Sequence, residues 1–219
     1  MNAQPHFARW MLLVILTATS ALRASPNLIV NGGFEDPAVG AGGFQNFAGG
    51  TSFTGWDVGL GGIDVHHTLD FTAFEGGQFV DLSGAVNAGS ITQMVPTTIG
   101  QTYTLSFAYA GHPFHPYVGN AFAEVEWDGL VIATVDRPPA PSNGSGGFAM
   151  NYLTGTFTVT ATQTLTALTF ESLSPNGGIL LDAVSLVPGA VAIPEPAELG
   201  LGAGVLALGL AVWRRRRRK

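Results

Sequence analysis

Few residues in this chain could do chemistry, and they gather in a handful of places. His112-Pro113-Phe114-His115-Pro116-Tyr117 puts two imidazoles and two aromatic rings into six positions, and His66-His67 is a second imidazole cluster. Rings of this kind stack on the faces of sugars, so His112, Phe114, His115 and Tyr117 are candidate ligand contacts. Zinc is a further use for two histidines three apart, but it needs a loop that folds back and a third ligand, and no His-Glu-x-x-His pattern presets that geometry. An ordered proline-rich surface loop accounts for the same residues. Asp182 lies in the run Ile179 to Val187, where alternation places it with Leu180, Val184 and Leu186. A carboxylate on a buried face needs a cation or hydrogen-bond donors. Calcium, held by carboxylate and carbonyl oxygens, answers that need, and so do backbone N–H groups at a turn.

Glu124 and Glu126 share one face of a strand, roughly 7 Å apart, a spacing that suggests acid/base glycosidase chemistry. Acids alternating along a strand also describe a solvated face. There is no nucleophile elbow and no zinc-hydrolase motif, and no nucleophile is paired with a base. The sequence therefore reads as non-catalytic. Cysteine is absent, which excludes disulfides, thiol catalysis and thiolate-bound zinc.

Charge narrows the partners. Between Ser25 and Ile193 there is one basic residue, Arg137, against thirteen acids, a net charge of −12. Such a surface repels polyanions, so nucleic acid is excluded as a partner.

The elements that must position these residues are short and apolar, separated by turn-forming clusters. Thr102 to Ala110 alternates over nine residues, with Tyr103, Leu105, Phe107 and Tyr109 on one face. Further strands are expected at Asn27–Val30, Gly62–His66, Gln78–Leu82, Ser90–Val95, Ala121–Trp127, Leu130–Val135, Tyr152–Thr160, Leu165–Glu171 and Ile179–Val187. Asp128-Gly129 joins two of them as a hairpin turn. No helical period appears in the interior. The expected fold is all-β, an antiparallel β-sandwich of jelly-roll type. Gly40–Gly50 and Arg137–Gly147 read as long loops, and Trp56 as a core residue.

The ends carry targeting patterns. Arg9, the apolar run Trp10–Leu16 and the small residues that follow describe a signal peptide, with cleavage after Ala21 or Ala24. Pro194-Glu195-Pro196 precedes an apolar stretch, Leu199 to Trp213, and then five arginines and a lysine. That stretch reads as a short transmembrane helix with its cations on the cytoplasmic side. The chain thus divides into residues 1–24, a signal peptide; 25–189, the sandwich domain; and 190–219, a sorting segment.

Two resemblances follow. The order of motif, short helix and basic cluster resembles the sorting signal of bacterial PEP-CTERM proteins. This implies an exosortase-type sorting protease as partner, removal of the helix near Pro194-Glu195-Pro196, and a destination in the envelope or extracellular matrix of a diderm bacterium. A permanent membrane anchor is the alternative. The motifs Asn27–Glu35 (Asn-Leu-Ile-Val-Asn-Gly-Gly-Phe-Glu), Gly55-Trp56, Gly89–Gln93, Gly100–Phe107 and Leu181–Leu186 resemble the choice-of-anchor C family. That family is similar to galactose-binding-like jelly rolls, to many carbohydrate-binding modules and to a plant cell-wall domain of unknown function. The resemblance implies a structural calcium between first and last strands, at the positions of Glu35 and Asp182, and extracellular polysaccharide as a partner. A purely structural, self-associating surface protein and a glycan-active hydrolase using Glu124 or Glu126 remain as other readings.

Overall fold

The computed structural model describes residues 25–189, apart from 69–70, 85–86, 115–118 and 176. Twelve strands run in chain order: β1 (Phe44–Phe47), β2 (Ser52–Phe53), β3 (Trp56–Val58), β4 (Ile63–His67), β5 (Gln78–Asp81), β6 (Ser90–Pro96), β7 (Thr102–Gly111), β8 (Ala121–Trp127), β9 (Leu130–Arg137), β10 (Leu153–Thr160), β11 (Leu165–Ser172) and β12 (Ile179–Pro188). They form two six-stranded sheets, ordered β1-β4-β5-β12-β7-β10 and β2-β3-β6-β11-β8-β9. Every pairing is antiparallel. The described residues contain no helix, and the architecture is a jelly-roll β-sandwich.

Alternation builds the core. In β8 the odd positions Ala121, Ala123, Val125 and Trp127 are buried, while Glu124 and Glu126 turn outward. Facing side chains from the two sheets meet in the middle: Phe107 of the first packs edge-to-face on Phe170 of the second, with ring centres 5.0 Å apart. Trp56 lies beside Phe170 and Phe34 and is 1% exposed, as its sequence context leads one to expect. The β8–β9 turn is tight because both Asp128 and Gly129 take positive φ, 55° and 76°, the geometry that matches strand twist in a two-residue hairpin.

A second, smaller core lies on the outer face of the first sheet. Phe79, Ala110, Ala140, Met150 and Leu180 are buried there, with Phe71, Ala73, Phe148 and Tyr152 packed around them. The segment around Arg137–Gly147 helps to roof this face: Ala140 is buried, and the Arg137 guanidinium donates to the Asn151 carbonyl at 2.6 Å.

Three expectations need correction. Asn27–Val30 is not a strand: one backbone bond, from the Leu28 N–H to the Leu186 carbonyl at 2.8 Å, joins it to β12, and side chains accept from its Ile29 and Val30 N–H groups. Asn27 Oδ1 accepts the Ile29 and Leu186 N–H groups, and Gln93 bonds to both the N–H and the carbonyl of Val30. Gly40–Gly50 is not all loop: Phe44–Phe47 pairs with β4 as an edge strand. Third, β12 carries a bulge between Asp182 and Ser185, with Ala183 at φ 52°. The extra residue reverses the alternation, as bulges do. Leu180 belongs to the small outer core, whereas Val184 and Leu186 belong to the main one.

Candidate functional site

The outer face of the first sheet brings the chemistry together. Residues directly opposite across the β1, β4 and β5 ladders form two rows: Phe44, His66 and Phe79 in one, and Asn46, Asp64 and Asp81 in the next. In the first row His66 is held between rings. It stacks on Phe79 at 5.4 Å and 3°, and on Phe44 at 5.3 Å and 25°. Burial holds its imidazole below the usual histidine range, with the Asp64 charge acting in the opposite direction.

Asp81 is the buried acid of the second row. Its Oδ1 accepts the Ser83 N–H at 2.9 Å and the Gly178 N–H at 3.4 Å. Its Oδ2 faces Nε2 of His112 at 3.7 Å, longer than a hydrogen bond. Burial pushes the Asp81 carboxyl up to about 8, opposed by the Ser83 N–H, while Asp64 raises it further. His112 follows the end of β7, and the Phe114 N–H donates to its Nδ1 at 3.1 Å. The ring proton of neutral His112 therefore sits on Nε2.

Over these residues lies an open groove of about 280 Å³, lined by Gly42, Gly43, Phe44, His66, His67, Phe71, His112 and Phe114. Phe44 and Phe114 flank it and remain 63% and 61% exposed. Phe71 ties the floor together, meeting His112 at 5.5 Å and Phe114 at 5.8 Å, both edge-to-face.

Two of the expected ligand contacts, His112 and Phe114, thus line one groove, while His115 and Tyr117 lie outside the described residues, as do Pro194, Glu195 and Pro196. The reading from sequence missed Phe44, Phe71 and Asp81 as site residues and left His66 as a bare doublet with His67. The signal available was the pair of phenylalanines in the glycine-rich Gly40–Gly50 segment.

Glu35 and Asp182 meet the same loop from two sides. Asp182, fully buried, accepts the Phe74 and Glu75 N–H groups on Oδ2 at 2.8 and 3.0 Å, and the Ala183 N–H on Oδ1 at 2.6 Å. Glu35 Oε1 accepts the Gly77 and Gln78 N–H groups at 2.7 and 2.9 Å. Gly76 is required here, because a Cβ at that position would stand 2.1 Å from Glu35 Oε1 at a φ of 60°. The positive ends of backbone dipoles thus converge on Asp182 and on Oε1 of Glu35, which meets the need of these carboxylates for donors without a cation. Burial still pushes the Asp182 carboxyl up to about 7 against these three donors, with Glu75 adding to the rise. Glu124 and Glu126 sit on the outer face of the second sheet, and Glu124 stands opposite Glu171, so this is a row of acids on a strand surface. Among the described residues no helix is long and apolar enough to cross a membrane.

The described residues form a helix-free jelly roll with an aromatic and imidazole cleft on one outer face. Residues 27–185 match the family described as "Protein of unknown function (DUF642)", and the chain belongs to that family. A comparison with curated proteins gives no match. Among solved structures the chain is similar to a family 35 carbohydrate-binding module from Clostridium thermocellum, with 13% identity and a TM-score of 0.43 over 66% of this chain and 97% of that one. It is similar to a family 35 module from Cellvibrio japonicus, with 20% identity and a TM-score of 0.42 over 57% and 84%. A third is the module TmCBM61, solved with β-1,4-galactotriose, with 15% identity and a TM-score of 0.47 over 75% and 100%.

Proposed function

We propose that this protein is an exported, non-catalytic glycan-binding module of the cell envelope or extracellular matrix. The observation that carries the reading is the groove in which two exposed phenylalanines, Phe44 and Phe114, flank the imidazoles of His66, His67 and His112. Phenyl faces stack on the C–H faces of sugars, and imidazole nitrogens donate to or accept from hydroxyls. Small-molecule sites share this makeup, apolar walls with a few polar groups that fix orientation. The groove is open, which suits a segment of an extended chain. The strongly acidic domain favours a neutral polysaccharide over an anionic one.

Export and sorting are supported by the signal-like amino terminus and by Pro194-Glu195-Pro196, the apolar Leu199–Trp213 and the basic tail, in the order of a PEP-CTERM signal. An exosortase-type protease is the partner this implies, and the membrane is a partner until the tail is removed. The choice-of-anchor C resemblance agrees with a surface destination. Calcium at Glu35 and Asp182 is left out of the proposal, because N–H donors already meet both carboxylates.

A second reading, self-association without a glycan, has one observation in its favour: β9 is an edge strand on which Leu130 and Val131 are 71% and 51% exposed. Chemical-shift mapping with neutral oligosaccharides tests the glycan reading. Shifts centred on Phe44, His66 and Phe114 support it; shifts confined to β9 on raising protein concentration, with none on adding sugar, favour self-association.

A further inference from the structure

We infer that His66, Asp81 and His112 form a binding site for a divalent transition ion of the zinc type at the floor of the groove. The inference goes beyond glycan recognition and stands whether or not a sugar binds.

Three elements supply the ligands: His66 from β4, Asp81 from the end of β5, and His112 from just past β7. One ligand atom from each lies within 4.8 Å of the others, and the Asp81–His112 pair is already at 3.7 Å. A tetrahedral zinc site with bonds of about 2.0–2.1 Å needs ligand atoms roughly 3.3 Å apart, so closure shortens the separations by at most about 1.5 Å. Two imidazoles and one carboxylate are a donor set for zinc and its neighbours, whereas calcium takes a shell of oxygens. Asp81 Oδ1 is already oriented by two backbone N–H groups, and His66 is fixed by the rings on either side of it, so both are held in place before an ion arrives. Two of the three ligands, His66 and His112, line the groove.

The structure also assigns a consequence. An ion on Nε2 of His112 moves the ring proton to Nδ1, which then can no longer accept the Phe114 N–H. Metal binding is thereby coupled to the position of Phe114, one of the two exposed rings flanking the groove.

The test is a titration of the full-length, metal-free protein with zinc chloride, with calcium chloride in parallel, read by calorimetry and by NMR of the histidine rings. The expected result is one zinc per chain, shifts in the ring resonances of His66 and His112 and in the Phe114 amide, and no such response to calcium. Asp81→Asn and His112→Gln should each weaken zinc at least tenfold. The proposal is overturned by absence of stoichiometric zinc binding, by binding that leaves the His66 and His112 rings unshifted, or by unchanged affinity in variants that melt like the wild type. The ring resonances decide the matter in the wild-type protein even where a variant does not fold.

Discussion

Phe44 and His66 face each other across the β1–β4 ladder, their rings 5.3 Å apart and 25° from parallel. The contact leaves most of Phe44 in solvent while His66 is half-buried beneath the groove. Because the phenyl ring is 63% exposed, its removal forfeits little core packing. Phe44→Ala should therefore lower stability by only about 0.5–1 kcal/mol, the worth of one ring pair, while glycan affinity falls at least tenfold. Urea melts and a binding isotherm on the same preparation separate the two effects. A loss of several kcal/mol with unchanged affinity would make Phe44 a packing residue only.

Asp182→Ala leaves three backbone N–H groups facing a void in a buried place. Each unsatisfied donor costs about 1–3 kcal/mol, so the variant should lose at least about 3 kcal/mol or fail to fold. Asp182 also predicts a pH dependence. Its carboxyl is raised from an ordinary value near 3.8 to about 7, mainly by burial. The folded protein thus holds the proton more tightly than the unfolded chain. This contribution to stability is fully present below about pH 4 and is lost as the pH rises through about 7. Urea melts of wild type and Asp182→Asn should show this part of the slope between pH 4 and 7 in the wild type only. Equal slopes would contradict it.

Gly32 tests how the first turn docks on the bulge of β12. Its carbonyl accepts the Val184 N–H at 2.9 Å, and a Cβ on it would stand 2.0 Å from the Val184 carbonyl oxygen. Gly32→Ala must push backbone against backbone, with an expected cost of about 3 kcal/mol. A melting temperature within a degree of wild type would mean that the turn can move away freely.

Calcium added to metal-free protein should leave the melting temperature unchanged. A site filled at one hundred times its Kd would add about 2.7 kcal/mol, several degrees for a domain of this size. Such a rise, abolished in Glu35→Gln, would restore the calcium implied by the family resemblance.

For the tail, mass spectrometry of the mature protein from its native host should find a form that ends near Pro194-Glu195-Pro196 and lacks the basic run. A mature form carrying Arg214–Lys219 would instead make the apolar stretch a permanent anchor.

Legibility in the sequence followed the regularity of the strands. In β8 the period of two is unbroken and in β7 it holds from Thr102 to Phe107, and the expected boundaries lie within a residue of the observed ones. In β1 it is hidden: Phe44–Phe47 lies among glycines and is defined by pairing with β4, a tertiary fact. The bulge at Ala183 could not be read either, because a single residue in the left-handed region reverses the faces on either side of it without altering the apolar pattern. That reversal moved Asp182 away from the face of Val184 and Leu186 and onto a loop of N–H donors. The site suffered most. His66, Asp81 and His112 are 15 and 31 residues apart in sequence, and only the order β4-β5-β12-β7 brings them within reach of one another.

A neutral glycan seated in the groove between Phe44 and Phe114 makes retention on polysaccharide depend on these two rings. The most direct measurement is a depletion assay of wild type and the Phe44→Ala/Phe114→Ala double variant against a panel of soluble and insoluble polysaccharides, including the host's own exopolysaccharide. The wild type should be retained on at least one neutral polysaccharide, and that retention should be lost in a double variant that still melts cooperatively. Retention of both proteins alike, or of neither on any polysaccharide, would contradict it.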